Sequence, residues 1–195
     1  MKPARKQRLR PKAARAGTAA RTALGIDIVL DSPLWKAEPG VRAVLRRAVN
    51  AAAAMAATKD GELAIVLTDD SAIRALNRDW RGKDTATNVL SFPAPAPLPG
   101  KVRRPRLVGD IVIAYETTAR EASAQARPFR HHLTHLAVHG FLHLLGHDHA
   151  AAAEAEAMEA LEVAVLARLD MPNPYLSPPF SRAKRRKGLI AEPHA

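Results

Sequence analysis

Apolar positions along the chain change period several times, and each change marks an element. Residues 23–31 (ALGIDIVLD) alternate apolar and polar, the pattern of a half-buried strand. Over 38–57 (EPGVRAVLRRAVNAAAAMAA) the period lengthens. Val41, Val44, Leu45, Ala48 and Val49 fall on one face of a predicted helix, with Pro39 near its first turn. A second strand is predicted at 61–70 (GELAIVLTDD). Asp69 or Asp70 then offers a side-chain cap to the short helix SAIRALNRDW. Third and fourth strands are predicted at 87–93 (TNVLSFP, closed by Pro93) and 109–116 (GDIVIAYE). Between them, APAPLPGKVRRPR is a Pro-rich basic loop that cannot enter a sheet ladder.

The remainder is helical. Residues 116–126 begin with a threonine cap candidate and stop before Pro128. Residues 131–145 form a second helix that stops at Gly146. Residues 151–169 form the last helix, with Met158, Leu161, Val165 and Leu166 on its apolar side. Strands come early and helices late, without regular βαβ alternation. The expected fold is therefore α+β, a small mixed β-sheet of about four strands covered by helices.

Charge changes the picture at the ends. Of 30 Lys and Arg, residues 1–26 carry eight and no acid, and residues 171–195 carry five against Glu192. Since the whole chain is +11, the middle is close to neutral. The expected organisation is a basic arm at 1–23, one catalytic α+β domain at 24–170, and a Pro-rich basic tail at 171–195. Basic arms suit a phosphate backbone, because each neutralised phosphate releases a counterion. Solubilising tails have the same composition, and an acid-free, Arg- and Ala-rich N-terminus also describes an organellar transit peptide. No apolar stretch is long enough to span a bilayer, and no partner membrane is expected. With no cysteine, disulfides are impossible and any metal must take nitrogen or oxygen ligands.

The chemistry concentrates in HGFLHLLGHDH, residues 139–149, which holds four of the chain's eight histidines. Residues four apart on a helix lie about 40° apart around its axis, so His139 and His143 project from one face and can share an ion. Gly146 can end the helix in a left-handed turn, redirecting the chain before His147 continues the spacing and letting His149 swing back. Three neutral imidazoles with one open position are the ligand set of a catalytic zinc site. Asp148 is a candidate acceptor for an imidazole N–H, or simply a turn residue. His131, His132 and His135 read as structural or surface histidines, with His135 able to reach the rim. The spacing equals that of the metzincin signature HExxHxxGxxH, but Gly140 stands where the general-base glutamate would be. That absence argues against peptide hydrolysis.

The same stretch resembles the signature of the YbeY family of endoribonucleases. LNRDWRGKDTATNVLSF (76–92), GDIVIAYE (109–116) and EAMEALE (156–162) resemble further blocks of that family in order and spacing. The resemblance runs over roughly residues 60–170. It implies a zincin-like metal-dependent hydrolase fold, one zinc held by His139, His143 and His149, and action on ribosomal RNA. The processes implied are 16S rRNA 3′-end maturation and ribosome quality control in the cytoplasm. The small ribosomal subunit, one of its proteins and a ribosome-associated GTPase become expected partners. Arg81 falls on the family's functional arginine. A guanidinium suits it to clamping a phosphate, with Lys83 as a second cation. Without the resemblance, a solvated charge or an ion pair of Arg81 with Asp79 or Asp84 would be the plainer reading. Asn88 and Ser91 are expected to shape the strand rather than do chemistry. Two other functions stay open on sequence: a zinc-stabilised assembly factor without catalysis, and a metal-dependent peptidase or small-substrate hydrolase.

Overall fold

A computed structural model describes residues 24–58, 60–95, 106–148 and 151–176. Four strands form one mixed sheet in the order β1 (Gly25–Leu30), β2 (Glu62–Thr68), β4 (Leu107–Ala114), β3 (Val89–Pro93). β1 pairs parallel with β2 and β2 parallel with β4, while β3 runs antiparallel to β4 on the outer edge. The α+β expectation with about four strands agrees with this sheet. The expected lack of βαβ order does not hold at the start. α1 (Val41–Met55) carries the chain from β1 to its parallel neighbour β2, because parallel strands cannot be joined by a hairpin.

The two faces of the sheet are covered unequally. On one, Ile28, Leu63, Ile65, Leu67, Ile111 and Ile113 pack with α1, α4 (Phe129–Leu144) and α5 (Ala152–Ala167) into the main core. On the other, Leu90, Val112 and Ala114 meet Ile73 of α2 (Asp70–Arg81) in a smaller cluster. Successive strand residues point to opposite faces, so Ser91 faces α4 while Leu90 and Phe92 face α2.

Pro39 lies just before α1, near its first turn as expected, and Gly40 occupies the N-cap at φ +82°. One helix start differs from expectation. α3 (Tyr115–Ala124) begins without a threonine cap. The Asp70 carboxylate of α2 accepts from the Thr117 N–H at 3.0 Å, and Glu116 accepts from the Asp70 N–H at 2.9 Å. The helices cap each other, a pairing between residues 47 apart that a local reading cannot anticipate. Asp69 caps α2 as expected, accepting from the Ala72 N–H. A short 3-10 helix, Pro33–Ala37, buries Trp35 and was not anticipated. No described helix is long and apolar enough to cross a membrane.

Candidate metal centre

From Leu136 onward α4 is apolar except for one histidine stripe. His132, His135, His139 and His143 recur at steps of three and four, so they stack along one side of the helix. Successive ring centroids are 6.5, 6.2 and 4.6 Å apart. His132, His135 and His139 of the stripe line a cleft of about 680 Å³ together with Glu121 of α3, Met158 and Glu162 of α5, and Tyr175.

Glu162 organises the centre. It is fully buried, yet its Oε1 accepts from His139 Nδ1 at 2.7 Å and its Oε2 from His135 Nε2 at 2.9 Å. The Tyr175 hydroxyl also donates to Oε2. Burial alone would raise this carboxyl, but the bonds from His135, His139 and Tyr175 outweigh it and bring the pKa to about 2. Burial and the neighbouring carboxylate push the Tyr175 hydroxyl upward in turn. An ionised carboxylate only accepts, so the proton of His139 sits on Nδ1. Its Nε2 then offers a lone pair on the opposite edge, 3.1 Å from Nε2 of His143. Two imidazole nitrogens converge on one point, with a buried anion behind one of them. That donor set fits a divalent cation. His135, His139 and Glu162 also place one ligand atom each within 4.8 Å of one another, so this group could hold a metal ion. Glu162 already accepts three hydrogen bonds, which suits it better to orienting imidazoles than to direct ligation.

The turn after α4 has the geometry that the glycine foretold. Gly146 is at φ +92°, its N–H bonds the His143 carbonyl, and the His147 N–H bonds the Leu142 carbonyl. This double bond pattern closes a helix through a left-handed residue. It turns His147 off the α4 stripe. His149 lies outside the described residues. Asp148 is exposed.

Two histidines expected to be structural or peripheral belong to carboxylate pairs within the cleft. His135 bonds Glu162, and buried His132 donates from Nε2 to Glu121 at 2.8 Å. Asn88 also donates to Glu121, and Ser91 donates to the Gly140 carbonyl, so both polar strand residues hold neighbouring elements in place. Burial raises the Glu121 carboxyl, but the bonds from His132 and Asn88 outweigh it, for a net downward shift.

Arg81 and Lys83 lie elsewhere. Arg81 ends α2, on the far face of the sheet from α4, and does not line the histidine cleft. Both residues are exposed. The acids that could have paired with Arg81 go to other arginines: Arg74 takes Asp84 in a two-bond fork, and Arg78 takes Asp79.

Sequence reading missed Glu162 and Tyr175. The signal for Glu162 was present, because it falls on the apolar face of α5 with Met158, Val165 and Leu166. A carboxylate there must be paired. Tyr175 carried no such signal, being one aromatic in a Pro-rich segment. Tyr175→Phe removes one of three donors to Glu162. It is expected to lower stability by about 1.5 kcal/mol, the low end for a hydrogen bond to a charged group, because Tyr175 is partly exposed. A urea midpoint unchanged in Tyr175→Phe would count against this bond.

A family model for endoribonuclease YbeY matches residues 34–170. An endoribonuclease YbeY of Rhodopseudomonas palustris strain BisA53 is 54% identical over 154 residues, covering 76% of this chain and 88% of that one. One from Nitrobacter winogradskyi is 54% identical over 158 residues, covering 78% and 82%. A solution structure from Thermotoga maritima aligns over 77% of this chain and 99% of its own at 22% identity, with a TM-score of 0.46.

Proposed function

The chain belongs to the endoribonuclease YbeY family, and on that footing we propose that it is a zinc-dependent, single-strand-specific endoribonuclease of 16S rRNA 3′-end maturation and ribosome quality control. The observation that carries the reading is the convergence of His139 Nε2 and His143 Nε2 in front of buried Glu162. His139, His143 and His149 are the proposed zinc ligands. When bound, the ion supplies a Lewis acid for water and for a phosphoryl oxygen. Glu162 holds His139 in the tautomer that presents Nε2, and His135 and Tyr175 hold Glu162.

Arg81 is proposed to bind a backbone phosphate, with Lys83 beside it, and to stabilise negative charge on phosphate oxygens. Since α2 and α4 cover opposite faces of the sheet, an RNA touching both Arg81 and the cleft passes around the β3 edge. The basic ends, 1–23 and 171–195, are proposed to flank the domain of 24–170 and to add salt-sensitive affinity for RNA. The small ribosomal subunit is the proposed partner, with a small-subunit protein and a ribosome-associated GTPase, in the cytoplasm.

The test is cleavage of single-stranded rRNA by highly purified protein, with metal content measured alongside. His143→Ala is expected to lose both zinc and cleavage. His147→Ala is expected to keep both. Arg81→Ala is expected to keep zinc while cleavage falls about a hundredfold or more, the usual cost of removing a charge-stabilising donor. Equal cleavage by wild type and zinc-free His143→Ala would sink the zinc-dependent reading, and no cleavage by zinc-loaded wild type would leave an assembly factor without catalysis.

A further inference from the structure

The buried stripe of α2 outruns the sheet it packs on. Ile73 is fully buried, Leu76 is partly buried and Asn77 is 4% exposed, but Trp80, next on the same face, is 64% exposed. The chain's other tryptophan, Trp35, is 1% exposed with its indole N–H donated to the Thr68 carbonyl. Trp80 reaches the outer strand of the sheet, β3, where its ring meets Phe92 at 5.7 Å and 65°. It therefore stands at the exposed edge strand, whose other face carries Ser91 bonded to Gly140, next to His139.

The surroundings are cationic. Arg81 follows directly, and the left-handed Gly82 turns the chain to Lys83. Both are exposed, and the nearby carboxylates of Asp79 and Asp84 are engaged by Arg78 and Arg74. Buried Asn77 pins the loop by donating to the Thr85 carbonyl. A large flat ring and two adjacent cations, held on a helix end and a pinned turn, match a nucleotide: a base for the ring and phosphates for the charges. An apolar protein partner would use the ring but leave the cations idle.

We propose that Trp80 is a stacking platform for an unpaired nucleobase of the RNA, set at the β3 edge where the strand passes from Arg81 toward the histidine cleft. The assignment rests on the ribonuclease reading and deepens it. Bases in a duplex are already stacked, so such a platform selects single strands.

The two tryptophans make the test direct. The zinc-loaded full chain is titrated with a short oligouridylate, following tryptophan emission and, separately, anisotropy of a labelled oligouridylate. Emission is expected to fall on binding, and Trp80→Phe is expected to abolish the change, because buried Trp35 has no access to the base. Trp80→Ala is expected to weaken binding by about five- to a hundredfold, the range for one lost stacking contact. Inorganic polyphosphate is expected to bind without quenching. Oligouridylate that binds with unchanged emission, and with equal affinity in Trp80→Ala, overturns the assignment and makes Trp80 a protein contact. If no RNA binds even wild type, the ribonuclease reading fails first and this inference falls with it.

Discussion

Gly140→Glu, which restores the glutamate of the metzincin spacing, is expected to cost at least about 3 kcal/mol of stability and to yield no peptidase. A Cβ at Gly140 would lie 3.1 Å from Ile111 Cγ2 and 3.1 Å from Ser91 Oγ. Both neighbours belong to strands beneath α4, and Ile111 is fully buried. The rest of a glutamate side chain would have to enter that packed interface, at about 1–3 kcal/mol for overpacking alone. Its carboxylate would add several kcal/mol more, since its near neighbours are Ile111 and Ser91 rather than a cation. The helix would also lose its close seat on β3, where Ser91 donates to the Gly140 carbonyl at 3.0 Å. Position 140 lies one residue from His139, about 100° around the helix, so it faces the sheet when the imidazoles face the cleft. Here glycine is what lets α4 approach the strands. Denaturant unfolding of Gly140→Glu, with Gly140→Ala as a milder step, measures the cost. A Gly140→Glu chain of native stability would show that the interface can open and would overturn this packing account.

How far the site was legible follows from where its signals sit. Pattern within one helix is local, so His139, His143 and the Gly146 stop could be placed from spacing alone. The strands of the sheet were equally plain, because alternation and β-branched runs depend on neighbours two residues away. What spacing could not supply was any partner across the fold. A threonine near residue 116 reads as a helix cap from spacing, but Asp70, 47 residues upstream of Thr117, takes the Thr117 N–H. His135 looked peripheral until Glu162, 27 residues downstream, took its Nε2. Arg81 seemed close to acids in sequence, yet those acids pair with arginines on the preceding turns of the same helix. Its separation from the cleft follows from α2 covering the other face, which no reading of residues 76–92 could reveal. Glu162 alone was within reach, as a charged residue on an apolar face.

That carboxylate should also give the clearest chemical signature when it is changed. Glu162→Gln is expected to lower metal affinity about 10- to 100-fold, as is usual when the carboxylate behind a ligating imidazole is lost, while leaving the protein folded. The reasoning is a proton count. The carboxylate accepts from His139 Nδ1 and from His135 Nε2 on separate oxygens, so both rings can hold their protons toward it. A carboxamide has one oxygen to accept and one nitrogen that only donates. Whichever imidazole faces the nitrogen must move its proton to the other side of its ring. If that ring is His139, its Nε2 becomes an N–H and can no longer ligate. If it is His135, the amide oxygen still holds His139, but a neutral acceptor replaces the anion that made the ring a stronger donor to metal. Both arrangements weaken the centre. Size is unchanged, so α5 keeps its packing through Met158, Val165 and Leu166. Competition with a chelator gives the affinity, and nitrogen NMR of the imidazoles in the metal-free protein gives the tautomers. Wild type should show His139 protonated at Nδ1, and Glu162→Gln should shift that population or soften the metal's hold. Equal metal affinity in the two proteins, with unchanged tautomers, would mean that Glu162 is a packing residue and that the imidazoles are oriented by something else.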